Sequence, residues 1–250
     1  MSRESRLATD PDEIEKFAAL ADTWWDAAGP MAPLHRLNPV RIAYIRDQAC
    51  ARLLGGSTST APRPLAGLTV LDVGCGAGLA AEPLARLGAA VTGIDPSPEM
   101  VAAATRHAAE TGAEGVAYES ATLEEVTASG RRFDLVLALE VVEHVPDVTS
   151  FLAATAEAAR PGGLVVLSTL SRTLASFAGA IVGAEYLLGW LPRGTHSWRA
   201  FLTPAELARH LRRVGLRPVD VAGVSYRADR DEFRLSRDTG VNYMLTALKG

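Results

Sequence analysis

Cysteine is scarce: the 250 residues contain two, Cys50 and Cys75, far apart in the chain. There is no C-x-x-C pair, so neither a zinc knuckle nor a disulfide framework is supported, and this thiol usage suits a reducing cytoplasm. A basic excess is also missing. The formal net charge of -4 argues against a chain that binds nucleic acid by electrostatics, and clusters such as "RHLRR" (209–213) read as the solvated face of a helix. The first residues, "MSRESRLATDPDEIEKF", are polar and lack the apolar core of a secretory leader. No internal repeat or low-complexity tract occurs. The one linker-like stretch, "GGSTSTAPRPLAG" (55–67), divides an N-terminal helical region (1–56) from the rest of the chain (57–250). A clean membrane span is missing too: "TLASFAGAIVGAEYLLGWLP" (173–192) is nearly long enough, but it holds Glu185 and three glycines.

What is present is an alternation. Short apolar runs at 68–74, 89–95, 115–120, 132–140 and 163–170 read as strands. Segments with helical spacing lie between them, at 78–88, 97–112 and 147–163. Ser97 followed by Pro98, with Gly112 at the far end, signals one helix. A helix over 203–215 and strands over 216–226 and 241–249 complete the chain. Strands and helices in this order predict an α/β fold, a mostly parallel sheet covered on both faces with right-handed crossovers.

"LDVGCGAG" (71–78) lies between the first strand and the first helix of that sheet. Its alternating glycines at 74, 76 and 78 let the backbone turn sharply and approach a ligand closely. In open α/β sheets ligands bind beyond the carboxyl ends of the strands, where strand order reverses, so this is a cofactor turn by position. The glycines alone fit a dinucleotide fingerprint loosely and leave a nicotinamide cofactor open. Asp72 points elsewhere: a carboxylate there can order the turn or meet a cationic cofactor, but is badly placed beside a pyrophosphate. Asp95 ends the second strand, where a carboxylate can accept the ribose hydroxyls of an adenosine or cap the helix that follows.

"LDVGCGAG", "GIDPS", "FDLVLALEVVEHV" and "ARPGG", in this order, resemble the class I S-adenosylmethionine-dependent methyltransferases. That resemblance implies a Rossmann-like sheet of seven strands with the last antiparallel, which suits "VNYMLTALK" as an inserted final strand. "FAALADTWWD" (17–26), "PLHRLNPVR" (33–41), "VGAEYLLGWLPRGTHSW" (182–198) and "GVNYML" (240–245) resemble more narrowly the UbiG family of ubiquinone-biosynthesis O-methyltransferases, from about Phe17 to Lys249. The family implies methyl transfer from S-adenosyl-L-methionine to a phenolic oxygen of polyprenylated catechol and demethylubiquinol intermediates. By motif, Arg41, Gly74, Asp95 and Leu139 fall on its cofactor positions, with Asp72 and Gly76 in the same wall. The family often has methionine where this chain has Leu139.

"LEVVEHVPD" (139–147) follows the fourth strand, next to which this fold binds its acceptor. Glu140, Glu143 and His144 there have three readings. Acids at a helix start complement its dipole, by ~0.3–1 kcal/mol each. His144 has the ordinary pKa range of a general base. Two carboxylates and an imidazole at i, i+3 and i+4 can also converge on one face of a turn and hold a divalent metal, with Mg²⁺ suited to hard oxygen ligands and Zn²⁺ or Mn²⁺ also tolerated by histidine. A phenol with a pKa of about 10 is rarely ionised at neutral pH, and a cation beside two catechol oxygens would depress that pKa. The family resemblance implies a divalent metal at this motif as well.

The apolar insert (171–200) is expected to be a lid, a membrane-contact segment, or both. Leu174, Phe177, Ala178, Ile181 and Val182 share one helical face, and Leu187, Leu188, Trp190 and Leu191 extend it. Such a surface flanked by Arg172 and Arg193 suits the headgroup plane of a bilayer, from which a lipid-like polyprenyl phenol would be drawn. The expected setting is cytoplasmic, peripheral on the inner face of the cell membrane, in company with other enzymes of the pathway. His196, Trp198, His35 and the Trp24/Trp25 pair are further candidates for closing the acceptor pocket, although tryptophan pairs are more often packing anchors.

Overall fold

The computed structural model describes residues 18, 20–56, 61–173, 176, 200–227 and 229–250. Five strands run parallel: β1 (Thr69–Val73), β2 (Ala90–Asp95), β3 (Val116–Ser120), β4 (Phe133–Leu139) and β5 (Ala159–Leu170). Three more follow, β6 (Leu216–Arg227), β7 (Glu232–Ser236) and β8 (Asn242–Lys249). The sheet order is β3-β2-β1-β4-β5-β8-β6-β7. β8 is inserted antiparallel between β5 and β6, as expected of the final strand. The sheet has eight strands among the described residues rather than seven, because β7 pairs antiparallel with β6 as an edge hairpin. No period-2 apolar pattern announces β7: "EFRLS" buries none of its residues.

The helices are α1 (Ala32–Leu53), α2 (Ala81–Arg86), α3 (Pro98–Thr111), α4 (Leu123–Ala128), α5 (Val148–Ala158) and α6 (Pro204–Arg213). α3 begins and ends as its sequence dictates, with Ser97 Oγ accepting from Met100 N–H and Gly112 left-handed at φ 63°. α5 stops at Ala158, five residues short of the expected end. Arg160 precedes Pro161, and the proline ring drives that residue out of the helical region, so Ala159 turns extended and starts β5 by pairing with Phe133. α4 was legible as a Thr122/Glu125 capping box, a signal that the apolar-run reading passes over.

Alternation along each central strand sends side chains to opposite faces, and two cores result. On one face Leu71, Val136 and Val165 pack with Phe151, Leu152 and Leu207. On the other, Val70, Leu135 and Val166 pack with Ile45 and Ala49 of α1 and Leu84 of α2. Burying each such side chain contributes about 1.5–3 kcal/mol. α1 is tied to the far end of the chain as well: Tyr44 Oη donates to Asp220 Oδ2 (2.7 Å) and accepts from Thr246 Oγ1 (2.9 Å). No helix of the described residues is long and apolar enough to cross a membrane. Most of the insert at 171–200, with His196 and Trp198, lies outside the described residues.

Candidate active site

The chain reverses direction across the sheet between β1 and β4. It runs outward from β1 to β2 and β3, then returns to lay β4 on the other side of β1. The carboxyl ends of these two strands, Val73 beside Ala138, therefore open a crevice that no crossover covers. The glycine turn hangs over it. Gly74, Gly76 and Gly78 have φ of 67°, 52° and 91°, conformations that favour residues without a Cβ. Asp95 fixes the turn from β2: its Oδ2 accepts from Gly76 N–H (3.0 Å) and its Oδ1 from Ser97 N–H (2.9 Å). Each oxygen keeps a second lone pair for a ligand hydroxyl. Burial pushes the Asp95 carboxyl above the usual range, and the two backbone donors oppose that shift.

Asp72, one residue before the end of β1, is buried, and its Oδ2 has no hydrogen-bond partner in the protein. Burial pushes its carboxyl up to about 7, with the Arg41 guanidinium opposing and Asp95 adding to the rise. Arg41 comes from α1, 31 positions earlier in the chain, and is itself buried. The structure thus brings Arg41, Asp72, Gly74, Gly76, Asp95 and Leu139 to one crevice, Leu139 as the last residue of β4.

The acid trio is arranged differently from its sequence spacing. Glu140 adopts the left-handed region at φ 55°, which is uncommon for a residue with a side chain. Its N–H still completes the sheet by donating to Ser168 O (3.0 Å). The chain then makes a single 3₁₀ turn, Val142–His144. An α-helical face, on which positions i, i+3 and i+4 converge, does not form here. Glu140 Oε1 accepts from Arg41 Nη2 (2.6 Å), Ser168 Oγ (2.8 Å) and Asn242 Nδ2 (3.3 Å). Burial alone would raise its carboxyl; Arg41, Ser168 and Asn242 together hold it below the usual carboxylate range. Glu143 turns inward, where Thr169 Oγ1 donates to its Oε2 (2.9 Å) and its Oε1 is buried without a partner. Burial, then the neighbouring Glu140 charge, push it well above the usual range. His144 closes the turn through its N–H, 2.9 Å from Val141 O, and its side chain is partly buried. Among the described residues no three His, Cys, Asp or Glu side chains gather closely enough to hold a metal. The expected convergence of the trio is corrected to two interacting buried acids, one of them paired to Arg41.

Several groups in this crevice escaped the sequence reading. Ser168, Thr169 and Asn242 orient the two acids, yet each lies in a strand whose apolar pattern masks it. Asn38, one turn before Arg41, donates to Leu79 O (2.7 Å). Trp24 and Trp25 pack on the glycine turn. A Cβ on Gly76 would stand 2.8 Å from Trp24 Cζ2, and Trp25 Nε1 donates to Ala77 O (3.0 Å). His35 contributes by meeting Trp24 O (2.8 Å).

Known proteins extend this picture. A family described as a methyltransferase domain matches residues 43–221. The ubiquinone biosynthesis O-methyltransferase of Methylobacterium sp. (strain 4-46) is 54% identical over 99% of this chain and 98% of its own length. That of Bradyrhizobium sp. (strain ORS 278) is 51% identical over the same shares. Among solved structures, magnesium protoporphyrin IX methyltransferase from Synechocystis PCC 6803 with bound SAH superposes with a TM-score of 0.63 at 20% identity, over 96% of this chain and 100% of that one. The last likeness is one of fold: the sheet is that of the class I S-adenosylmethionine-dependent methyltransferases.

Proposed function

The chain belongs to the ubiquinone-biosynthesis O-methyltransferase family and is an S-adenosylmethionine-dependent O-methyltransferase, and from that premise we propose which phenols it methylates and what each residue contributes. The substrates are polyprenylated catechol and demethylubiquinol intermediates, in keeping with the name its relatives carry. The observation that carries the site assignment is the pair of acids at the carboxyl end of β4 beside the glycine turn of β1.

Asp95 accepts the ribose hydroxyls of the cofactor while its backbone donors keep the turn in shape. Asp72, costly to ionise where it lies, faces the cofactor's positive charge, and Arg41 its carboxylate. Leu139 forms the apolar wall beside the methyl group. Transfer is in line: a phenolic oxygen attacks the methyl carbon, the C–S bond breaks toward S-adenosylhomocysteine, and the phenolic proton is lost. Orientation and electrostatics supply most of the acceleration.

Glu140, Glu143 and His144 are the proposed holders of a divalent cation, most suitably Mg²⁺. Bound there, it would lower the pKa of the phenol and fix the catechol oxygens. Two hard carboxylates within each other's field, and a Glu143 Oε1 with no hydrogen-bond partner among the described residues, support a cation beside the acids. The three side chains do not gather as a ligand cluster in the fold as it stands, so His144 would have to turn toward the acids to join it. Arg41 pairs with Glu140, so a cation held there would compete with the guanidinium for that carboxylate. The test is methylation of a prenylated catechol with and without chelator. EDTA should abolish turnover and Mg²⁺ restore it. Undiminished turnover in EDTA would remove the cation and favour the second reading, in which His144 takes the phenolic proton. Activity on short catechols but not on prenylated ones would instead assign another small phenol as substrate. The polyprenyl tail is assigned to the apolar insert, which would place the enzyme peripherally on the membrane beside the other enzymes of the pathway.

A further inference from the structure

Residues 20–38 cross the glycine turn from outside and are fastened at both ends. Asn38 holds Leu79 O at one end. Near the other, the Trp25 indole lies flat on the His107 imidazole, with ring centroids 3.4 Å apart and 2° between the planes. His107 Nδ1 in turn lies 2.7 Å from Glu82 Oε1, a carboxyl with no exposed surface. Arg86 and Thr111 also reach Glu82, through its Oε2 (3.1 and 3.2 Å). A fully buried carboxyl is retained only when its partners compensate its desolvation, and the catalytic groups described above do not touch it. Its visible connection is outward: Glu82 on α2 to His107 on α3, to Trp25, and from the Trp25 Nε1–H to Ala77 O inside the turn. Beside it Trp24, Met31, Met100 and Ala103 cluster on Ala77.

We propose that residues 20–38 form a strap that holds the glycine turn in its cofactor-binding shape, with Trp25, latched on His107 and Glu82, as a cofactor-positioning residue. It acts through Ala77 and not on the reacting atoms. A stacked aromatic pair together with a hydrogen bond accounts for about a ten- to thirtyfold change in affinity when both are lost.

The proposal rests on the cofactor lying at the glycine turn, and the experiment separates the two. S-adenosylhomocysteine binding is measured by calorimetry and its dissociation by stopped flow, on the full chain. Trp25→Leu is expected to raise the dissociation constant and the off-rate about ten- to thirtyfold. Trp25→Phe, which keeps the stack but loses the bond to Ala77, should fall between that variant and the wild type. His107→Ala leaves Trp25 in place and should repeat part of the effect, which guards against a Trp25→Leu chain that fails to fold. In steady state the cofactor KM should rise with the dissociation constant, while the KM for the phenol stays within twofold. Asp95→Ala tests the placement itself. If it leaves affinity intact, the cofactor does not bind at this turn. If Asp95→Ala destroys binding while folded Trp25→Leu and His107→Ala both bind within twofold of wild type, the strap has no positioning role.

Discussion

Asp72 is 2% exposed, and one of its oxygens has no partner in the protein. Its carboxyl is pushed up to about 7 from an ordinary 3.8. Between these two values the folded chain holds a proton that the unfolded chain has released, so stability falls as pH rises through that window. Above pH 7 the cost is on the order of 2–4 kcal/mol. Asp72→Asn is therefore expected to raise the melting temperature of the cofactor-free protein at pH 8 and to lose most of that gain at pH 4.5, where wild-type Asp72 is protonated when folded. The same substitution should weaken cofactor binding, because the charge that is unfavourable in the free protein is the one offered to the sulfonium. A variant that is no more stable at pH 8 than at pH 4.5, relative to wild type, would mean that Asp72 is not strained. Glu140 and Glu143 shift in opposite directions, the first held below the usual carboxylate range by Arg41, Ser168 and Asn242 against its burial, the second pushed above it by burial and by the neighbouring Glu140.

Among the elements, β2 and β3 carry the tightest constraint next to the site. Gly93 pairs with Tyr118 in the β2–β3 register, and the Tyr118 ring folds back over it toward the glycine turn. A Cβ on Gly93 would stand 2.7 Å from Tyr118 Cδ1 and 3.0 Å from Cys75 Sγ, and one on Gly78 would meet Tyr118 Cζ at 2.8 Å. Both glycines are thus required by one ring, although only Gly78 has a positive φ. Gly93→Ala should destabilise the protein by about 1–3 kcal/mol through overpacking, read as a lower urea midpoint with an unchanged slope. It should also loosen the cofactor, since the displaced groups, Tyr118 and Cys75, border the turn. An unchanged midpoint would show that the ring has room to move. Legibility at this scale divides by kind. α3 could be read from its cap, proline and terminal glycine alone, whereas β7 has no apolar alternation, and α5 ends at Ala158, before Arg160 and Pro161, rather than at 163.

For the whole molecule, α1 makes the site a joint product of both ends of the chain. Tyr44 ties it to β6 through Asp220 and to β8 through Thr246, and Arg41 one turn earlier reaches Glu140 beside Asn242 of β8. The insert lies between β5 and α6, and α6 turns the exposed Arg212 and Arg213 to solvent. Binding of the enzyme to anionic vesicles is expected to place it in the floating fraction of a density gradient and to weaken in a Leu187→Asp, Leu188→Asp variant, because apolar contact and basic attraction together set interfacial affinity. Equal flotation of the variant would argue that the insert is only a lid.

The sequence by itself determined the fold and the family. Alternating apolar runs, the glycine turn with Asp72 and Asp95, and the trio after the fourth strand are local in the chain, and each follows from backbone sterics or from which face must be buried. Only the tertiary structure decided how the trio is used. Whether i, i+3 and i+4 share a face depends on an α-helix that the left-handed Glu140 prevents. Its partners Arg41, Ser168 and Asn242 lie 99, 28 and 102 residues away. No spacing rule reaches that far, because a buried charge takes whichever partner the packed core brings to it.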